Sequence, residues 1–182
     1  MFARTPRLLL RPGWHEDAPA LSRAIGEEAV VRNLTRAPWP YALGDAEAFL
    51  ARPDDAGLPG FLIAQRTAGG SRIVGGIGLG TDQDGGVELG YWIARPYWGL
   101  GFATEAAQAV LALARHGLKI KRLNAWHFLD NPASANVLRK LGFRPSGRVA
   151  MRHSAGRGRT DRCAHYAIDL AFDCEDPVPM AA

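Results

Sequence analysis

Between Glu88 and Glu105 the chain reads Glu-Leu-Gly-Tyr-Trp-Ile-Ala-Arg-Pro-Tyr-Trp-Gly-Leu-Gly-Phe-Ala-Thr-Glu. An apolar strand runs into a loop with glycines at 99 and 101, and a helix begins at once. Glycine tolerates positive φ and close backbone approach, so successive N–H groups can converge on one point. The helix start behind them adds roughly half a positive charge. Such a unit binds phosphate, and it needs a sheet to carry the strand.

The better-known phosphate loops do not fit. A G-x-G-x-x-G/A fingerprint starting at Gly99 requires Gly or Ala where Thr104 stands, and the preceding strands read as antiparallel hairpins, not as βαβ units. No G-x-x-x-x-G-K-S/T loop and no G-x-S-x-G nucleophile elbow occurs. Gly76-Ile-Gly78-Leu-Gly80 lies within a strand and reads as structural. Kinase, nucleotide-dependent oxidoreductase and serine hydrolase chemistry are therefore set aside.

Around this unit, Arg7 to Arg11 reads as a first strand, and Ala18, Leu21 and Ile25 fall at helical spacing in a helix that frays after Gly26. Two prolines in Arg36-Ala-Pro-Trp-Pro-Tyr41 exclude a regular element before a short helix at Gly44 to Arg52. These two helices form a flap, with Trp39 and Tyr41 in it. Phe61–Gln65, Ile73–Leu79 and Val87–Ala94 read as strands separated by the turn clusters Ala68–Ser71 and Thr81–Gly86. Ala103, Ala106, Ala107, Val110, Leu111 and Ala114 trace one helical face, with Gly117 placed to cap it. A strand at Leu123–Phe128 precedes a helix opened by Asn131-Pro132 and stopped by Gly142. Phe143–Met151 and Cys163–Leu170 close the chain as strands around a basic loop. The fold class is mixed α/β (α+β).

At 182 residues the chain fits one domain, 1–182, with a flexible C-terminal tail expected over 173–182. No apolar run approaches the roughly 20 residues of a membrane span, and the N-terminus lacks the apolar core of a secretory signal, so a cytoplasmic protein with no membrane partner is expected. Cys163 and Cys174 match no zinc spacing and make no disulfide scaffold; no metal is expected. The net charge of +4 favours anionic ligands without the dense basic run of a nucleic-acid binder. His15, His116, His127 and His165 show no ligand spacing and read as structural or surface residues. Arg148, Arg152, His153, Arg157, Arg159 and Arg162 read as a solvated basic loop.

Tyr97-Trp-Gly-Leu-Gly-Phe-Ala-Thr-Glu-Ala106, then Asn131-x-x-Ser134, then Leu141-Gly-Phe143, resembles the GNAT superfamily of acetyl-CoA-dependent N-acetyltransferases. Thr5-Pro-Arg-Leu-Leu-Leu-Arg-Pro12 and Glu88-Leu-Gly-Tyr-Trp92 are similar to its RimJ/RimL-like ribosomal-protein acetyltransferase branch. The resemblance implies a mostly antiparallel mixed sheet, splayed at the cofactor site, with helices on both faces. It implies acetyl-CoA as cosubstrate. Backbone N–H groups of Trp98, Gly99, Leu100, Gly101, Phe102 and Ala103 would cradle the pyrophosphate, with Thr104 behind them. Trp92, Ile93 and Ala94 would pair strand-like with the pantetheine arm, placing the thioester carbonyl near a strand N–H. Asn131 would bond the arm, and Ser134 would lie by the sulfur. Two positions depart from the family pattern: Pro96 replaces its first polar residue, and Leu138 replaces the tyrosine that protonates the leaving thiolate in many relatives, leaving Ser134 or a water it holds as the acid.

Glu88 matches a strand glutamate that acts as general base in some relatives; a solvated or salt-bridged carboxylate is the plainer reading. At pH 7 an α-amine of pKa about 7.8 is roughly 14% neutral and a lysine of pKa about 10.4 roughly 0.04%, an advantage of about 3.5 kcal/mol for the α-amine. A distant base acting through water then suffices. The favoured acceptor is a protein or peptide N-terminal α-amine, such as that of a ribosomal protein, ahead of a small amine or aminoglycoside. The rivals are a CoA-binding or protein-interaction module without chemistry, and an RNA-associated factor. Dimers are common among such folds, but the sequence shows no interface.

Overall fold

The computed structural model describes residues 1–52 and 57–170. The tail expected over 173–182 lies outside the described residues. Eight strands form one sheet in the order β1-β2-β3-β4-β5-β6-β8-β7. They are β1 (Ala3–Arg4), β2 (Leu8–Arg11), β3 (Gly60–Thr67), β4 (Gly70–Thr81), β5 (Val87–Ile93), β6 (Arg122–Phe128), β7 (Arg144–Ser154) and β8 (Arg159–Asp169). Every neighbouring pair is antiparallel except β5 with β6, which run parallel and are bridged only at Glu88 and Asn124.

Period-2 alternation sorts the side chains to two faces. Leu8, Leu10, Ile63, Val74, Leu89 and Leu123 meet Phe102, Ala106, Ala107 and Val110 of α4 (Phe102–Ala112) and Leu138 of α5 (Pro132–Lys140) on one face. On the other face Leu62 and Ile73 pack against Ala18 and Leu21 of α1 (Ala18–Ile25) and Ala46 of α3 (Leu43–Leu50). Alanines in α4 let the helix lie close on the sheet, and each fully buried Leu or Ile contributes about 1.5–3 kcal/mol.

Several elements differ from the sequence reading. The flap holds a third, one-turn helix, α2 (Glu28–Val31). β4 starts at Gly70 instead of Ile73, so its turn with β3 is tight. Gly117 does not cap α4: the helix passes into a π turn over Leu113–Gly117, and the positive φ falls on Lys119 (56°). β8 starts at Arg159 instead of Cys163, which shortens the expected basic loop to the turn at 155–158. By contrast, Gly142 is at φ 89°, with its N–H on the Arg139 carbonyl and the Phe143 N–H on that of Leu138, the paired bonds of a Schellman stop. A Cβ on Gly76 would meet the indole of Trp92 at 2.5 Å, so this glycine is a bed for that ring.

Candidate functional site

β5 is registered with β4 along its whole length, and β6 with β8 along its own, so the two halves of the sheet part beyond Glu88 and Asn124. A cavity of about 430 Å³ opens where they part. Trp92, Ile93, Trp98, Gly99, Gly101, Phe102, Ala103, Thr104, Asn131, Ser134 and Glu88 all line it, and Leu100 and Ala94 do not.

The loop between β5 and α4 is built by local bonds. Tyr97 N–H reaches the Ala94 carbonyl at 2.9 Å, and Trp98 N–H closes the same turn on Arg95 at 3.2 Å. Gly99 and Gly101 sit at φ 77° and 80°. Among the described residues, the N–H groups from Gly99 to Thr104 have no hydrogen-bond partner; the first α4 bond is Glu105 N–H to the Gly101 carbonyl, 3.0 Å. The sequence assigns the Trp98 amide to the cradle, but the turn uses it, so the free donors begin one residue later. Six unpaired amides at the positive end of a helix fit a diphosphate.

From behind, Arg7 of the β1–β2 hairpin holds this loop. Its Nη1 donates to the Leu100 carbonyl at 2.9 Å, and its Nε to Glu105 at 2.6 Å. In a trans peptide the C=O and N–H point oppositely, so the Gly101 N–H faces away from Arg7. Thr5 Oγ1 and Arg7 N–H complete the brace on Glu105, at 2.6 and 2.9 Å. Burial alone would raise the Glu105 carboxyl, but these bonds outweigh it and hold the group below the usual carboxylate range. Bonds from Arg157 likewise lower Asp130 and a bond from Arg11 lowers Asp17, each against burial. A carboxyl depressed in the folded state contributes stability that is complete above its unfolded pKa and lost as pH falls through its folded one. The melting temperature should therefore hold from pH 7 to about 5 and fall steeply below about pH 4; a thermal melt that is flat down to pH 3 would contradict this brace.

Of the strand residues expected to meet a pantetheine arm, Ala94 gives its N–H to the Val74 carbonyl at 2.8 Å, inside the sheet. Alternation then turns the amides of Ile93 and Tyr91 toward the gap. The Ile93 carbonyl receives Trp98 Nε1 at 2.6 Å. Asn131 is the N-cap of α5, its Oδ1 accepting from Ser134 N–H at 3.2 Å. Ser134 Oγ meets the Tyr91 hydroxyl at 2.8 Å. Burial pushes the Tyr91 phenol up to about 12, with the Ser134 bond acting the other way.

On the other side of the sheet, Glu88 receives one bond of 3.0 Å on each oxygen from Arg152 Nη1 and Nη2. Each oxygen keeps a second lone pair. Arg152 also stacks 5.0 Å from the Trp126 ring centre, and both residues line the cavity. Asn33, Leu34 and Thr35 form the facing wall, held by Ser154 Oγ on the Leu34 carbonyl (2.6 Å) and Ala155 N–H on that of Thr35 (2.9 Å). Trp39 and Tyr41, placed in the flap by the sequence, do not line the cavity.

The basic residues expected to be solvated are so only in part: Arg148, His153, Arg159 and Arg162 are exposed, whereas Arg152 and Arg157 are drawn into the fold. Arg152 faces Glu88, Arg148 pairs with Asp84 at 2.6 Å, and the Arg157 side chain is only 4% exposed. The carboxylates that pair with Arg148 and Arg152 each lie 64 positions away, so these partners could not be read locally. Tyr91, Arg152, Trp126 and His127 are cavity residues that the sequence did not single out for chemistry. Tyr91 carried a usable signal: it alternates with Leu89 and Ile93, the face on which α5 packs. Among the described residues no cluster of His, Cys, Asp and Glu could hold a metal, and no helix is long and apolar enough to cross a membrane.

The model of the acetyltransferase (GNAT) domain matches residues 7–144. The N-acetyltransferase p20 of Bacillus licheniformis is 29% identical over 150 residues, 79% of this chain and 82% of that protein. The crystal structure of a GNAT-family acetyltransferase from Bacillus anthracis superposes with a TM-score of 0.77 at 23% identity, covering 93% of this chain and 99% of the other. The ribosomal alpha-N-protein acetyltransferase RimL, solved with coenzyme A, gives 0.73 at 18% identity over 93% and 98%. With its splayed sheet and its glycine loop at a helix start, this chain belongs to the GNAT acetyltransferase family and is an acetyl-CoA-dependent acyltransferase.

Proposed function

We propose that the chain acetylates a protein or peptide N-terminal α-amine, in the manner of the RimJ/RimL-like branch. The observation that carries this reading is the pairing of Glu88 with Arg152 in the cavity wall. An acceptor that arrives partly neutral asks least of a carboxylate already engaged by a guanidinium, and an α-amine starts about 3.5 kcal/mol ahead of a lysine in this respect. RimL, a structural neighbour, carries the name of an alpha-N-protein acetyltransferase.

In this reading the amides from Gly99 to Thr104 hold the diphosphate of acetyl-CoA, and Asn131 borders the pantetheine arm. The gap-facing N–H of Tyr91 or Ile93 donates to the thioester oxygen as negative charge develops there. The amine nitrogen bonds to the acetyl carbon, the carbon–sulfur bond breaks, and the nitrogen's proton passes through water to a free lone pair of Glu88. Ser134 hydrogen-bonds the departing sulfur. The protein works in the cytoplasm, alone or as a homodimer.

Thiol release should be measured with acetyl-CoA and three acceptor panels: peptides with free N-termini, N-blocked peptides bearing lysine, and small amines including aminoglycosides. Turnover on the first panel, with the acetyl group on the N-terminal residue by mass spectrometry, is expected. Turnover confined to small amines would overturn the acceptor assignment. Glu88→Gln should lower kcat by about 10- to 100-fold, at the low end of general-base effects because the proton travels through water; an unchanged rate and pH optimum would remove Glu88 from the reaction.

A further inference from the structure

The sequence replaces the helix tyrosine of many relatives with Leu138, and the structure shows that leucine fully buried in the core, unable to present any polar group to the cavity. A phenol reaches the same region from the opposite wall. Tyr91, on β5, spans the gap to the first turn of α5 and places its hydroxyl 2.8 Å from Ser134 Oγ and 3.3 Å from the Ser134 carbonyl. Ser134 is thus held twice: its N–H by Asn131 Oδ1, and its hydroxyl by Tyr91.

The single Tyr91 O–H has two acceptors in reach, Ser134 Oγ at 2.8 Å and the Ser134 carbonyl at 3.3 Å, and the shorter contact takes its proton. A phenol is the stronger acid and the better donor, and an alkyl hydroxyl is the better acceptor. Burial keeps the phenol protonated through the whole neutral range, so it always holds a proton to donate. With Tyr91 donating, the Ser134 oxygen is filled on that side, and its own O–H is turned away from Tyr91 and into the cavity. Were the bond reversed, the serine proton would be spent on the tyrosine.

We propose that Tyr91 is a positioning residue for acyl transfer: its O–H donates to Ser134 Oγ, so that the Ser134 O–H is aimed at the departing sulfur. The proposal rests on the reading that places Ser134 by that sulfur. In the step itself the carbon–nitrogen bond forms, and the carbon–sulfur bond breaks with its electron pair on sulfur. The thiolate is stabilised by the Ser134 hydrogen bond, and it takes its final proton from water after Glu88 has returned the amine's proton to solvent. No proton leaves the Tyr91–Ser134 pair.

The test uses the full chain with coenzyme A itself, so it does not wait for the acceptor. Calorimetry first establishes that coenzyme A binds; absence of binding would sink the cofactor reading along with this one. The ionisation midpoint of the bound thiol is then followed by thiolate absorbance. Tyr91→Phe and Ser134→Ala are each expected to raise it by about one pH unit, the size of one lost charge-assisted hydrogen bond, and the double variant no further. With an acceptor in hand, Tyr91→Phe should lower kcat about tenfold and leave KM for acetyl-CoA within about twofold, an effect that vanishes in the Ser134→Ala background. Fluorotyrosine at position 91 keeps the ring and strengthens the donor, so it should lower the midpoint. Bound coenzyme A whose midpoint is the same with Phe or fluorotyrosine at 91, or an equal loss of kcat in both backgrounds, overturns the proposal and leaves the cofactor site standing.

Discussion

Gly101→Asp is expected to abolish acetyl-CoA binding while the protein stays folded. Gly101 sits at φ 80° at the start of α4, with its N–H among the unpaired donors of the loop. An L-residue there costs on the order of 1–2 kcal/mol in backbone strain, and aspartate is among the residues that bear it best. The nearest atom to an added Cβ is Arg7 Nη2 at 3.5 Å, so no clash forces the loop apart. The ligand meets a different environment. At about 5 Å and an effective dielectric constant of about 20, a carboxylate repels each unit of phosphate charge by about 3 kcal/mol. Two such charges raise Kd by more than a thousandfold. Gly101→Ala separates the terms, because it carries the strain without the charge and should lose only about tenfold. Calorimetric titration of both variants, with a melting curve for each, is the check; an aspartate variant that still binds within tenfold of the parent would show that the diphosphate sits elsewhere.

Arg157→Ala should produce the largest loss of stability of any single arginine replacement. Its side chain is only 4% exposed, and it ties three parts of the chain together. Nε donates to the Arg32 carbonyl at 2.6 Å, Nη2 to Asp130 at 2.7 Å and Nη1 to Asp161 at 2.9 Å, while the guanidinium lies 4.0 Å above the Phe128 ring. Removing it leaves the Arg32 carbonyl unsatisfied and separates the wall at Asn33–Thr35 from the loop that carries Asn131. A lost set of charged hydrogen bonds of this kind costs about 3 kcal/mol, or about 6–12 °C in Tm for a domain of this size. Lysine keeps the charge but not the fork, so Arg157→Lys should recover less than half of the loss. Loosening the wall should also raise KM for the acceptor more than KM for acetyl-CoA. Chemical denaturation decides the matter: a change below 1 kcal/mol for the alanine variant would mean that the flap is held by other contacts.

What could be read along the chain was local, and what could not be read depends on pairing. The strand–glycine–helix unit, the Asn131 cap and the Gly142 stop each lie within a few residues, and glycine conformation or a capping bond fixes them wherever the rest of the chain goes. The parting of β5 from β6 is different, since it depends on a single bridge between Glu88 and Asn124 and on each strand preferring its other neighbour. No periodicity encodes that. For the same reason Arg157 read as one more charge in a basic loop, when the turn at 155–158 folds it beneath the flap against partners as distant as Arg32. Tyr91 and Ser134 are 43 positions apart, and only the packing of α5 on β5 brings their hydroxyls together. Gly156 shows the converse case. A Cβ there would lie 2.5 Å from Val31 Cγ1, so the close approach of flap and hairpin requires glycine, and nothing within the turn itself marks that need.

A crystal structure of the full chain with acetyl-CoA tests the central claim most directly. Diphosphate oxygens within about 3 Å of the N–H groups from Gly99 to Thr104, with the pantetheine arm running into the gap between β5 and β6, are the expected result. Electron density for the cosubstrate anywhere else on the sheet, or a cavity that stays empty of it at saturating concentration, would contradict the account.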